Sequence, residues 1–379
     1  MKKLLISALA SLWLVGCATN PNAIEPTPLE SFDAEYKVEK VWSKKAGKGV
    51  KKRYLTLSPG VAGEGVYVAD LQGRVFAYAP ENGALQWRKK TDDNITGGVY
   101  AGNGVMLYGT REGEAVALSM SSGEELWRQQ LSSEILALPA VDTNMAVFQI
   151  PDGQVFALDT LTGEVLWQYE DIAPSLILRG TATPVIAAGQ VFVAFASGKV
   201  AALEAATGAP IWERRVAEPV GRSELERLVD INNNLIVEGG GVFASSYQGS
   251  VTVLDERNGQ QYWRKDMSTF GVMASSYGVL YLADGTGHVW AIDQRSGDSL
   301  WKQDILYGRG LTGVAVQSDQ VVVGDSDGYL HWFDGVTGHI TARTRHQRHG
   351  FAAAPVSHND VLYVYGKKGR LTAYELQPK

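Results

Sequence analysis

The sequence predicts an all-β fold, an eight-bladed β-propeller of four-stranded antiparallel blades. Three observations predict it: a similar unit recurs about every 40 residues, each unit alternates short apolar runs with turns, and Gly accounts for 42 of 379 residues while Pro accounts for 13. A period of this length is typical of propellers and solenoids. Glycine turns between short apolar runs favour β-hairpins over helices.

The composition excludes two classes of protein. Hydrophobic residues make up 45% of the chain, which is too many for a disordered protein. Lys and Arg number 35 against 41 Asp and Glu, a net charge of −6, and no long block of like charge occurs. Because a nucleic-acid site requires a basic footprint, we expect no nucleic-acid partner.

The first 16 residues have the pattern of a signal peptide. Lys2 and Lys3 precede an apolar run at residues 4–15, which is too short to span a bilayer. Cys17 follows and is the single cysteine, so no intramolecular disulfide and no cysteine-based zinc site can form. We therefore expect residues 1–16 to be removed.

Residues 17–31 are predicted to form a flexible tether, and residues 32–379 a single propeller domain. The tether contains Pro21, Pro26 and Pro28. Extended, its residues after the cysteine reach roughly 45 Å.

The repeat is defined by a turn glycine and, in six units, by a Trp fourteen residues later. Recurrence in one register favours packing between neighbouring blades over ligand stacking, the alternative interpretation. The turn glycines are Gly73, Gly113, Gly153, Gly198, Gly249, Gly287, Gly328 and Gly369, and the Trp residues are Trp87, Trp127, Trp167, Trp212, Trp263 and Trp301.

The eighth unit lacks a strand. Its Trp register falls beyond Lys379, whereas residues 38–45 contain Trp42 in a segment like the Trp-containing strand of the first unit. We therefore predict that the N-terminal strand completes the last blade, which removes the open edges of the ring.

The segment Leu-Val-Gly-Cys at 14–17 resembles the lipobox of bacterial lipoproteins. The resemblance implies that Cys17 carries diacylglycerol and becomes the mature N-terminus. Ala18, where the sorting rule of these lipoproteins places Asp for inner-membrane retention, implies the inner leaflet of the outer membrane, facing the periplasm. A free or buried thiol in an ordinary secreted protein is the alternative.

The pattern Ala-Leu-Asp-x-x-Thr-Gly-Glu-x-x-Trp at 157–167 resembles the repeat of PQQ-type quinoprotein propellers, and variants of it cover nearly all of residues 38–376. Segments 175–180 (Ser-Leu-Ile-Leu-Arg-Gly) and 227–232 (Arg-Leu-Val-Asp-Ile-Asn) resemble motifs of the BamB family of outer-membrane lipoproteins.

That resemblance implies a non-enzymatic subunit of the BAM complex, which inserts β-barrel proteins into the outer membrane. It also implies docking onto the POTRA domains of the barrel subunit BamA. Asn232 stands where the family motif has an acid, so an ion pair at that position is in doubt. The implied contact residues are Leu176, Leu178, Arg179, Asp230 and Asn232.

The lengths of the connections point to the same segments. From a blade Trp to the position six residues before the next turn glycine, the count is 25 residues after Trp167 and 31 after Trp212. It is 20 after Trp87, 20 after Trp127 and 18 after Trp263, so we expect only these two connections to be enlarged. Insertions in repeat proteins often lie on the binding face. Tolerated surface insertions are the alternative.

No cofactor or metal site is predicted. The Asp-Ser-Asp-Gly segment at 325–328 occupies an ordinary blade turn and lacks the full calcium-loop pattern. His346 and His349 fall between strands, where a solvated basic loop is expected. Two alternative functions stay open: a periplasmic PQQ-dependent dehydrogenase-like enzyme, and a general binder of unfolded outer-membrane polypeptides through an exposed sheet edge.

Overall fold

The computed structural model describes residues 24–50, 55–63, 65–231, 233–269 and 271–379. These residues form eight four-stranded sheets in which every neighbouring pair of strands is antiparallel. The predicted eight-bladed β-propeller is confirmed.

Within each blade, burial follows the position of the strand. The second and third strands are almost completely buried, and the fourth strand forms the outer edge; in most blades this fourth strand alternates exposed residues with more buried ones. The first four blades consist of β2 (Gly60–Ala62), β3 (Gly65–Ala69), β4 (Arg74–Tyr78) and β5 (Leu85–Lys90); β6 (Tyr100–Gly102), β7 (Val105–Gly109), β8 (Glu114–Ser119) and β9 (Glu125–Gln130); β10 (Ala140–Val141), β11 (Met145–Gln149), β12 (Gln154–Asp159) and β13 (Val165–Glu170); and β14 (Val185–Ala187), β15 (Gln190–Ala194), β16 (Lys199–Glu204) and β17 (Pro210–Arg215).

The remaining blades repeat this plan, and the eighth combines both ends of the chain. Blades 5 to 8 consist of β18 (Ile236–Glu238), β19 (Gly241–Ser245), β20 (Ser250–Asp255) and β21 (Gln261–Asp266); β22 (Ala274–Ser276), β23 (Val279–Ala283), β24 (Val289–Asp293) and β25 (Ser299–Gln303); β26 (Val314–Gln317), β27 (Gln320–Gly324), β28 (Tyr329–Asp334) and β29 (Ile340–Arg345); and β30 (Val356–His358), β31 (Val361–Tyr365), β32 (Arg370–Pro378) and β1 (Tyr36–Lys45).

The N-terminal strand closes the ring, as predicted. β1 pairs with β32 from Tyr36 opposite Pro378 to Lys45 opposite Arg370, with one irregularity between Lys40 and Trp42. Because the first and last strands share a sheet, neither end of the ring is left as an open edge.

The structure places the repeated Trp side chains between blades. Trp127, for example, donates from Nε1 to the Thr160 carbonyl of the next blade at 2.9 Å. Its ring covers Gly163, where a Cβ would lie 2.6 Å from the ring. The same contact joins seven blade pairs: Trp42 with Pro80, Trp87 with Met120, Trp127 with Thr160, Trp167 with Ala205, Trp212 with Glu256, Trp263 with Gln294 and Trp301 with Gly335.

The blade-to-blade connections all lie on one face of the ring, here called the connection face, together with the turns between second and third strands. Hydrogen bonds join the two sets, such as Leu131 N to Gly113 O at 2.8 Å. The expectation of only two enlarged connections is wrong. Residues 46–59, which link blade 8 to blade 1, are as numerous as residues 171–184.

The predicted tether is corrected for residues 24–31, which lie against the propeller. Thr27 N donates to Tyr307 O at 2.9 Å, and Arg309 Nη1 donates to Thr27 O at 3.0 Å. Arg343 Nη1 then donates to Glu30 O at 2.8 Å. The segment contributes main-chain atoms to these hydrogen bonds, and its Leu29 side chain packs partly buried against the core. Residues 17–23 of the tether lie outside the described residues.

Candidate docking surface

The two motif-bearing connections, residues 171–184 and 216–235, meet on the connection face. Ser175 Oγ donates to Glu224 Oε2 at 3.2 Å, and Leu178 N donates to Asp230 Oδ1 at 2.8 Å. The exposed part of both connections is therefore one continuous surface, here called the loop surface.

The second connection is anchored by its own apolar residues. Leu228, Val229 and Ile231 are 4%, 5% and 1% exposed, and Asp230 between them is 1% exposed. Because the apolar residues on both sides of Asp230 are buried, its carboxylate also lies beneath the loop surface. Burial of the apolar side chains stabilises this connection, and desolvation of the Asp230 charge opposes that stabilisation.

The environment of Asp230 is unusual for a carboxylate. Burial raises the pKa of Asp230 to about 6, and the hydrogen bond from Leu178 N offsets only part of that effect. Its second oxygen, Oδ2, accepts no hydrogen bond from the described residues. The same holds for Gln149 Oε1 and Thr181 Oγ1, and all three residues line one cavity of about 20 Å³. That volume accommodates one water molecule.

Arg179 is held by a partner that sequence reasoning missed. Its Nη2 lies 2.6 Å from Oε1 of Glu134, which belongs to the connection between blades 2 and 3. The Arg179 side chain remains 46% exposed. Arg179 forms no ion pair with Asp230, because the guanidinium reaches the neighbouring connection instead.

The two connections also expose apolar side chains. Leu176 is 42% exposed. Leu178 is less exposed and half-buried, and its main-chain N–H is bound to Asp230. Three further residues of the two connections escaped the sequence analysis: Ile172, Val220 and Leu225, which are 87%, 75% and 64% exposed. Large apolar residues inside insertions were the signal that could have revealed them.

Two predicted site residues, Cys17 and Asn232, lie outside the described residues. Within the described ranges, no cluster of three or more His, Cys, Asp or Glu side chains could hold a metal ion. The same part of the chain contains no helix with the length and apolar character needed to cross a membrane.

Comparisons with known proteins agree on one family. The family model described as outer membrane protein assembly factor BamB matches residues 71–303 and 286–377. The protein of that name from Pseudomonas aeruginosa is 44% identical over 368 residues, 97% of each chain.

Solved structures give the same family and also show how widely the fold occurs. The crystal structure of BamB from Moraxella catarrhalis aligns with a TM-score of 0.81 at 27% identity, covering 89% of this chain and all of that one. A quinohemoprotein alcohol dehydrogenase from Pseudomonas putida aligns with a TM-score of 0.73 at 14% identity, over 90% of this chain and 76% of its own, which shows the fold alone. The chain belongs to the family of the outer membrane protein assembly factor BamB.

Proposed function

We propose that the chain is a non-enzymatic lipoprotein subunit of the BAM complex, anchored through Cys17 to the outer membrane and facing the periplasm. In this proposal the loop surface docks onto the POTRA domains of BamA, and docking assists the folding and insertion of outer-membrane proteins. The relatives are named as assembly factors, which supports a role without enzymatic activity.

The observation that carries the docking proposal is the composition of the loop surface. Apolar area is presented to solvent on the same two connections that carry Arg179, by Ile172, Leu176, Val220 and Leu225, and the Arg179 side chain is itself 46% exposed. Apolar anchors beside an Arg are typical of the energetic centre of a protein interface. Because Glu134 already orients the guanidinium, little side-chain entropy would be lost when a partner binds.

Asp230 would act from beneath this surface. Its hydrogen bond to Leu178 N fixes the first connection against the second. The unpaired Oδ2 could in addition accept a hydrogen bond from a basic group of the partner, which would offset the cost of burying the charge.

Copurification of BamA tests the proposal. Arg179→Glu, or Leu176→Ala combined with Leu178→Ala, should abolish copurification and leave the circular dichroism spectrum and melting temperature unchanged. Arg264→Glu is the matched control, because Arg264 is 44% exposed and also ion-paired but lies on the outer strand of blade 5. Normal copurification of the Arg179 and Leu variants would place the docking surface elsewhere on the ring.

A further inference from the structure

Exposed basic residues concentrate on the connection face at blade 8. They lie at the ends of β1, β29 and β32, in the connections on either side of the blade, and in its turn at residues 366–369. This group, here called the basic patch, consists of Lys45, Lys48, Arg345, Arg348, Lys367, Lys368 and Arg370, all exposed.

Direct contacts join the segments that carry the patch. Lys367 N donates to Gly350 O at 3.2 Å, and Ala46 N donates to Gly369 O at 2.8 Å. The Lys368 ammonium contacts Nε2 of His349. The connection from blade 7, the turn of blade 8 and the connection to blade 1 therefore form a single surface.

Acidic residues do not neutralise the patch. Segments 46–50, 346–355 and 366–369 contain no Asp or Glu, although the whole chain carries a net charge of −6. Within the described residues, none of the patch side chains forms an ion pair with a carboxylate. The nearby Asp327 carboxylate is bound by Arg309 at 2.7 Å. The positive potential at blade 8 is therefore local and opposite in sign to the protein as a whole.

The N-terminal segment leaves the ring on the same face. Ile24 and Glu25 pack against Gly308, in the connection between blades 6 and 7, one blade away from the patch. The seven residues from Cys17 to position 23 span at most about 25 Å whatever their conformation. With acyl chains on Cys17, which is part of the proposed function, this side of the connection face lies within that distance of lipid.

We propose that the basic patch contacts the phosphate-bearing headgroups of anionic lipids, so that the propeller rests on its anchoring membrane with the blade 8 edge of the connection face. A lipid surface is favoured over an acidic protein because the tether length brings this side to the membrane, and phosphates complement unpaired Lys and Arg. The loop surface lies at blades 3 to 5, about half a turn around the ring, and stays free for BamA.

Binding to vesicles tests the inference without the lipid anchor. The mature chain carrying Cys17→Ser should cosediment with phosphatidylcholine vesicles that contain phosphatidylglycerol and not with pure phosphatidylcholine. Binding should be lost in about 1 M salt, where the Debye length is about 3 Å. Lys367→Glu with Lys368→Glu should weaken the partition coefficient at least about 25-fold, since each Lys near an anionic surface contributes about fivefold.

Two variants serve as controls. Lys37→Glu with Lys40→Glu makes the same change in net charge at exposed positions on the same blade, nearer the other face, and should bind as the unchanged chain does. Lys367→Arg with Lys368→Arg should also retain binding. Equal loss in the Lys37 and Lys40 variant, or no binding to the anionic vesicles, would overturn the inference. So would crosslinking of Lys368 to an acidic protein without any vesicle binding.

Lipid binding by the basic patch can be tested separately from docking onto BamA. BamA copurification of the Lys367 and Lys368 variant should be normal, because the patch and the loop surface share no residue. Loss of vesicle binding with intact copurification is the expected pattern, and loss of both would show that the basic patch belongs to the partner interface instead.

Discussion

Replacing Asp230 by Asn should stabilise the folded chain at neutral pH. The wild-type side chain is 1% exposed and its Oδ2 lacks a protein partner among the described residues. Asn keeps the oxygen that accepts from Leu178 N and removes the charge that burial disfavours. Its amide can donate to water in the cavity below.

The magnitude follows from the pKa of Asp230, which burial raises from 3.8 to about 6. Between those values the folded state holds a proton that the unfolded state has released, so stability falls as the pH rises. Above pH 6 the loss is complete. A shift of one pKa unit corresponds to about 1.36 kcal/mol. Discounted for solvent relaxation, the shift of Asp230 lowers the free energy of unfolding by about 1–3 kcal/mol.

Thermal melting from pH 4 to pH 7.5 measures this effect. The melting temperature of Asp230→Asn should exceed that of the unchanged chain by roughly 1–4 °C above pH 6 and by much less at pH 4. Asp266→Asn, at a side chain that is 86% exposed, is the control and should show no such difference. A constant difference between Asp230→Asn and the unchanged chain across the pH range would refute the reasoning.

Three further predictions concern the ring and its anchor. Deleting residues 17–45 should lower the melting temperature strongly, because the deletion removes β1 and Trp42, whose aromatic burial alone is worth about 3–5 kcal/mol; an unchanged melting temperature would contradict the closure. Gly163→Ala should cost more than about 1 kcal/mol in a thermal melt, since its φ is +76° and a Cβ would meet the Trp127 ring, and a neutral effect would show that the blade contact is loose. Cys17→Ser should move the protein to the soluble fraction after a salt wash; retention in membranes that lack BamA would identify another anchor.

The blade architecture could be predicted because the sequence contains eight similar repeat units. A turn glycine and a Trp fourteen residues later indicate the same local structure in each unit where they occur. In blade 3 these residues are Gly153 and Trp167. Closure by the N-terminal strand followed from counting, because the last unit had no Trp strand and the segment around Trp42 supplied one.

The details of the candidate site could not be predicted because they depend on contacts between distant residues. Glu134 and Arg179 belong to different blade connections, so neither motif shows the pair. The burial of Asp230 depends on how Leu228 and Ile231 enter the core, although the motif alone makes all three appear to belong to a surface loop.

The docking of residues 24–31 escaped the sequence analysis for a different reason. The segment is rich in Pro and has no apolar periodicity, which favours a tether. It is held by carbonyl oxygens that accept from Arg309 and Arg343 and by the packing of Leu29 on the core, and neither carbonyls nor one isolated Leu forms a sequence pattern.

Photocrosslinking in intact cells tests the central claim most directly. A photoreactive residue at position 176, on the loop surface, should crosslink to BamA, and mass spectrometry should locate the crosslink in its POTRA domains. The control is position 161, where Leu161 is 76% exposed in a turn on the opposite face of the neighbouring blade. Crosslinks to BamA from position 176 and none from position 161 are the predicted result. Crosslinks from position 161 alone, or from position 176 to unfolded outer-membrane proteins without BamA, would contradict the account.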